Sequence, residues 1–251
     1  MTRQRNIRLT VAFDGTGYHG WQIQKGLPTI QGILTEALEH VACHKVTLIG
    51  SGRTDAGTHA RGLIANFRTT ARIAPRDLRR ALNGLLPEDI RVLAARRAPA
   101  EFHARYSAHS KIYQYQIYRG EVLPPHLARE HYHYPFPIDV GAMTRAATLL
   151  VGSHDFRSFA RSVHGGSAPE RSTVRSVFRA DLRAEGRRLL LRIEADGFLH
   201  HMARNIAGTL LELGRGRIGF EQFGQLFEKR DRRAAGFTAP ARGLVLVRVR
   251  Y

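Results

Sequence analysis

The sequence is expected to fold as an α+β protein built from two ferredoxin-like, RRM-like units whose mainly antiparallel sheets face a central cleft. Three observations lead there. Over residues 7–94, short apolar runs and a stretch of helical spacing follow the order strand, helix, strand, strand, helix, strand, which is the split βαβ arrangement. The second half again mixes strands and helices, without a sequence repeat that proves the two halves alike. The length of 251 residues, 43% of them hydrophobic, is enough for one or two domains with sizeable cores. The boundary is expected between a unit at 1–104 and a unit at 105–251.

Each element has a local reason. Residues 7–13 alternate imperfectly and read as the first strand. Asp14-Gly15-Thr16-Gly17-Tyr18-His19-Gly20-Trp21-Gln22 is a glycine-studded loop. Tyr18 and Trp21 either stack on bases or pack the loop onto the sheet, and packing is the better reading for Trp21. Thr29 is a plausible N-cap, and Ile30, Ile33, Leu34, Ala37, Leu38 and Val41 recur at helical spacing behind it. Cys43 is expected on the apolar side of that helix, in the core. Residues 46–49 and 63–67 read as strands, Pro75 and Asp77 open a short helix ending near Asn83-Gly84, and 90–94 form a further strand.

Residues 102–107 have no clear period and read as a connector. Residues 111–118 alternate, with Tyr113, Tyr115 and Ile117 on one face. Residues 124–137 hold four prolines and three histidines and read as irregular surface, with His131 and His133 solvated or facing RNA. A helix is expected at 142–151, a Gly- and Ser-rich mobile loop at 162–171, and a hairpin of strands at 175–182 and 188–195. A helix opening at 197–206 and running to about 213 has the stripe Met202, Ile206, Leu210 and Leu213, with Arg204 off it. An alternating strand at 245–249 closes the chain.

The formal charge is +18, carried by 35 Arg and only 4 Lys against 21 acidic residues. Such a basic protein attracts polyanions, nucleic acid first, although an Arg-rich codon bias supplies a competing explanation for part of the excess. The N-terminal residues are polar and basic with no apolar h-region behind them, so no signal peptide is expected. No run approaches the ~18 apolar residues of a membrane span. A single cysteine excludes an intrachain disulfide framework and a Cys-based zinc site. A cytoplasmic location fits these features.

The stretch around which the chain is organised is Gly50-Ser51-Gly52-Arg53-Thr54-Asp55-Ala56-Gly57-Thr58-His59-Ala60, a glycine-rich loop leaving a strand. It has the G-x-x-x-x-G spacing of a phosphate loop but lacks the Lys that must follow, and Asp55 stands where a dinucleotide loop needs its third glycine. Read alone, Asp55 is either a functional carboxylate or a structural cap.

The stretch Gly52 to Ala60 resembles the active-site motif of the TruA-type tRNA pseudouridine synthases. Four further stretches resemble the family in the same order: the Asp14–Gln22 loop, the Tyr113-x-Tyr115 strand, Phe198-x-x-x-Met202-x-Arg204-x-Ile206, and Thr238-Ala239-Pro240-x-x-Gly243-Leu244. His154 to Phe159 is similar to the family's D-F-x-S-F. Thr58 stands where the family commonly has Val.

The resemblance implies isomerisation of uridine to pseudouridine in the anticodon stem-loop of tRNA by a homodimer, without cofactor or metal. Asp55 would be the catalytic nucleophile or base, and Arg204 its ion-pair partner. Tyr113 would lie on the target uracil, Leu244 would line its pocket, and Arg53 and His59 would bind substrate. Breaking the N1–C1′ bond leaves positive character at C1′, which a carboxylate stabilises or traps. A hydrolase needs a second carboxylate to activate water; an isomerase does not.

Rival readings are a non-catalytic RNA-binding protein, which leaves the Arg-Thr-Asp-Ala-Gly run unexplained, and a pseudouridine synthase acting on another RNA. A metal- or base-dependent hydrolase would need histidine spacing that is missing.

Overall fold

The computed structural model describes residues 4–161 and 172–251. The stretch 162–171, expected as a mobile loop, lies outside the described residues. The fold is α+β. The chain forms two compact units, residues 1–109 with 245–251, and residues 110–244. The terminal strand therefore joins the first unit instead of the half that precedes it.

In the first unit the elements run β1 (Arg5–Phe13), α1 (Ile30–Ala42), β2 (Ile49–Gly50), β3 (His59–Thr69), α2 (Pro75–Leu85) and β4 (Ile90–Ala98). β1 lies between β4 and β3, antiparallel to both, and β2 pairs with β3 at Asn66 and Ala65. This is the split βαβ order expected from the sequence. β10 (Leu244–Arg250) adds parallel to β3, with Val245 opposite His59. Along β1 the buried positions Ile7, Leu9, Val11 and Phe13 alternate with less buried ones, the mark of a sheet with one face on the core. Thr29 caps α1, its hydroxyl accepting from the Gly32 N–H at 3.3 Å.

Two expectations for this unit need correction. The strand expected at 46–49 is reduced to Ile49–Gly50. Cys43 is exposed and sits in the left-handed conformation that ends α1 (φ 57°), where a helix leaves its own apolar face.

The second unit runs β5 (Ser110–Tyr118), β6 (Tyr132–His133), α3 (Val140–Thr148), β7 (Gly152–Asp155), β8 (Val174–Glu185), β9 (Arg188–Ala195), α4 (Met202–Gly214) and α5 (Phe220–Lys229). Its sheet has the order β5-β9-β8-β7, all antiparallel, with β6 parallel on β5. The stripe Met202, Ile206, Leu210 and Leu213 is buried, as its spacing requires.

Residues 197–201 are not helical: His201 has φ 63° and α4 starts after it. The supposed irregular surface at 124–137 contains β6, and His131 is buried, its Nδ1 3.2 Å from the Leu127 carbonyl oxygen. His133 Nε2 lies 2.8 Å from the Gly120 carbonyl oxygen. His131 is thus not a solvated side chain, and His133 is half-buried. No helix among the described residues is long and apolar enough to cross a membrane.

Glycine decides how closely the 236–244 segment docks on α4. A Cβ on Gly208 would lie 1.8 Å from the Phe237 carbonyl oxygen, whereas one on Gly224, inside α5, would meet only Leu149 Cδ1 at 3.9 Å. Gly208→Ala is expected to lower the melting temperature by several degrees. Gly224→Ala is expected to stabilise by up to ~1 kcal/mol, the ordinary helix preference for Ala over Gly. Calorimetry of the two variants checks both signs.

Candidate active site

In the first unit, Asp55 sits on the loop between β2 and β3, and the Asp14–Gln22 loop clamps that loop's backbone. Trp21 N–H donates to the Thr54 carbonyl at 3.1 Å, Gly57 N–H to the Tyr18 carbonyl at 3.2 Å, and Ser51 N–H to the Ile64 carbonyl at 2.7 Å. The clamp is tight enough to require glycine. A Cβ on Gly15 would lie 2.0 Å from the Thr58 carbonyl oxygen; one on Gly20, at φ 84°, would lie 2.4 Å from that of Thr54.

Trp21 is 2% exposed and lies over Gly50, where a Cβ would come within 2.6 Å of the indole. Tyr18 is buried and its hydroxyl donates to Asp89 at 2.6 Å; burial first, then this carboxylate, raises its pKa. Both aromatics are packed into the loop framework instead of offering faces to bases.

The three candidates on this loop differ in their settings. Asp55 is half-buried and Arg53 is exposed. His59, expected to bind substrate, is 1% exposed. The Gly15 N–H donates to its Nδ1 at 3.1 Å, and Asp14 Oδ1 lies 3.1 Å from the same nitrogen. His59 thus sits inside the first unit, against the Asp14–Gly15 turn.

In the second unit, Tyr113, Arg204 and Leu244 belong to three segments fastened to one another. Arg204 is in the first turn of α4, where the helix dipole disfavours a cation, and the left-handed His201 precedes it. Arg204 Nε donates to the Ala239 carbonyl at 2.8 Å, and Ala239 N–H donates back to the Arg204 carbonyl at 3.2 Å. Tyr115 is 1% exposed, and its hydroxyl donates to the Pro240 carbonyl at 2.7 Å. This bond holds the tight turn Ala241–Gly243 that delivers Leu244, itself buried. Tyr113, on the same face of β5, meets Phe198 edge-on with ring centroids 4.7 Å apart. Of the two strand tyrosines, Tyr115 is therefore a fastener; Tyr113 is 8% exposed.

Sequence reasoning missed the polar cluster beneath this segment. Asn205, fully buried, donates to the Phe159 carbonyl at 2.7 Å and accepts from Thr238 Oγ1 at 2.6 Å and Arg232 Nη2 at 3.1 Å. Burial lowers the pKa of Arg232. The only sequence signal was Thr238 in the Thr-Ala-Pro run. Within each unit taken alone, the described residues hold no group of three or more His, Cys, Asp or Glu side chains close enough to share a metal ion.

Over residues 9–107 and 146–251 the chain matches the family profile described as tRNA pseudouridine synthase. The chain belongs to this family. It is 44% identical over 247 residues to the tRNA pseudouridine synthase A of Caldicellulosiruptor bescii, covering 98% of this chain and 100% of that one. The corresponding protein of Solibacter usitatus is likewise 44% identical over 247 residues, with 98% and 100% covered. That of Acetivibrio thermocellus is 42% identical with the same coverage. The Asp55 loop, its glycine clamp, Arg204 and the Leu244 turn all lie inside the stretches matched by the pseudouridine synthase profile.

Tyr115→Phe removes the donor to Pro240 and leaves its carbonyl only the longer bond from the Gly243 N–H at 3.4 Å, at an expected loss of ~0.5–1.5 kcal/mol in urea unfolding. Burial raises the Tyr115 pKa. The folded protein therefore keeps a proton that the unfolded chain releases above about pH 10, and stability should fall as pH rises past that value. That alkaline loss should be smaller in Tyr115→Phe.

Proposed function

We propose that Asp55 acts on C1′ of a uridine in the anticodon stem-loop, with Arg204 as its ion-pair partner. As a member of its family, the chain is an isomerase that converts uridine to pseudouridine in tRNA. The reaction breaks N1–C1′, turns the uracil and rejoins it through C5. Atoms balance without a co-reactant: C5 gives up its proton and N1 regains one. A carboxylate serves as nucleophile or base only when ionised, and a close guanidinium favours that form. Tyr113 stacks on the uracil and takes part in loss of the C5 proton, Leu244 forms an apolar wall, and Arg53 holds RNA phosphate.

The observation that carries the reading is the clamped glycine loop presenting a half-buried Asp55. A paired uridine must be extruded first, at a cost of a few kcal/mol, and phosphate contacts to a surface of formal charge +18 offset it. A cytoplasmic homodimer belongs to the same proposal, supported by the family resemblance.

The test is incubation with uridine-labelled tRNA followed by nucleoside analysis. Asp55→Asn should reduce pseudouridine formation by ~10²-fold or more while tRNA affinity stays within about threefold; a variant whose rate falls by less than about tenfold would refute the assignment. Tyr113→Phe keeps the ring, so KM should hold while kcat drops by ~10²-fold, the lower end for a lost proton-transfer group. An unchanged kcat would show the hydroxyl to be dispensable.

A further inference from the structure

We infer that the cleft between α2 and the edge strand β4 is a second RNA-backbone site, taking phosphodiesters of the tRNA away from the target uridine. The cleft has a volume of about 570 Å³, and Arg79, Arg80 and Arg91 line it with no carboxylate among its lining residues. Arg76, Arg79, Arg80 and Asn83 fall at i, i+3, i+4 and i+7 on α2, opposite the buried Leu78 and Leu82, so they form one polar stripe. Like charges at i, i+4, as Arg76 and Arg80 are, repel. A bound polyanion relieves that repulsion.

The cleft is built, not merely charged. The Asn83 amide donates to the Val92 carbonyl at 3.0 Å and accepts from the Val92 N–H at 2.8 Å. It thereby closes the open edge of β4, a position otherwise ready to pair with another strand. Arg91 Nη1 donates to the carbonyls of Pro87 at 2.5 Å and Ile90 at 2.8 Å, and Arg79 Nη1 reaches that of Leu93 at 3.4 Å. These bonds orient two guanidinium planes, each of which has five N–H donors. The Arg80 side chain makes no hydrogen bond or ion pair among the described residues. At the mouth, a Cβ on Gly84 would meet nothing within 4 Å, so the opening is kept clear.

The occupant follows from charge and from the reading of tRNA as substrate, on which this inference rests. Planar, bidentate guanidiniums suit phosphate oxygens, and several side by side suit consecutive phosphates.

The test measures tRNA binding against salt for Arg79→Gln/Arg80→Gln, for Gly84→Glu, which places a carboxylate in the mouth, and for a control pair, Arg183→Gln/Arg187→Gln, on the β8–β9 hairpin. Melting curves establish that each variant is folded. The cleft pair should weaken binding by about 5–20-fold near 0.1 M salt and flatten the slope of log K against log salt by about 1.5–2. Gly84→Glu should weaken it in the same direction, the control pair by less than about twofold, and kcat at saturating tRNA should not change.

An unchanged slope, an equal loss in the control pair, or displacement of tRNA by a few millimolar inorganic phosphate at constant ionic strength overturns the site; the last would indicate a single-anion pocket. Pseudouridine formation by the unaltered protein is measured in parallel. Its absence overturns the proposed function, whereas an active protein with an unchanged slope overturns only the cleft.

Discussion

The arrangement depends on one contact: two loops of the first unit lying backbone against backbone with no room for a side chain. Gly15 and Gly20 come so close to the carbonyls of Thr58 and Thr54 that a Cβ on either would overlap them. Those two carbonyls bracket Asp55. The amide of Trp21 and the carbonyl of Tyr18 then complete hydrogen bonds to the same loop, and buried His59 accepts from the Gly15 N–H. A loop normally gains its freedom from solvent-exposed backbone; here the Thr54 carbonyl and the Gly57 N–H, on either side of Asp55, are bonded to the neighbouring loop, so Asp55 is presented from a fixed frame.

The second unit uses the same device with different residues. Gly208 and Gly236 let the 236–244 segment approach α4 at backbone distance. Asn205, Thr238 and Arg232 satisfy the polar groups that the approach buries. Such a network is favourable only when every member is paired, and the Asn205 amide and the Thr238 hydroxyl are both bonded. Tyr115 and Ala239 then fix the two ends of the turn and of the Arg204 guanidinium.

Much of this was legible because the signals were local. Thr29 before a helical stripe, the alternation of β5 and the βαββαβ order each follow from short-range periodicity. What was missed depends on contacts between distant segments. His131 and His133 looked solvated among prolines, but a two-residue parallel pairing with β5 draws that segment in. The contact of Asp14 and Gly15 with His59 was not legible either, because they lie over 40 residues earlier in the chain. α5 was not among the expected elements; Phe223 and Leu226 hold its buried face. Asp55 itself stood out through its motif; the reason for the surrounding glycines appears only in the clamp.

The clamp also bears on energetics. Extruding a paired uridine already consumes a few kcal/mol of binding free energy. Ordering a free loop at the same moment would add roughly 1–2 kcal/mol per residue of backbone entropy, and a five-residue loop would exceed the extrusion cost itself. Folding has already ordered 54–58 against 14–21, so that entropy is lost before RNA arrives. The glycines that look like points of flexibility in the sequence therefore serve the opposite end: they permit the close approach that makes the carboxylate's position independent of the substrate. An alanine at Gly15 or Gly20 would restrict the unfolded chain, yet it would loosen the active loop by forcing the two backbones apart.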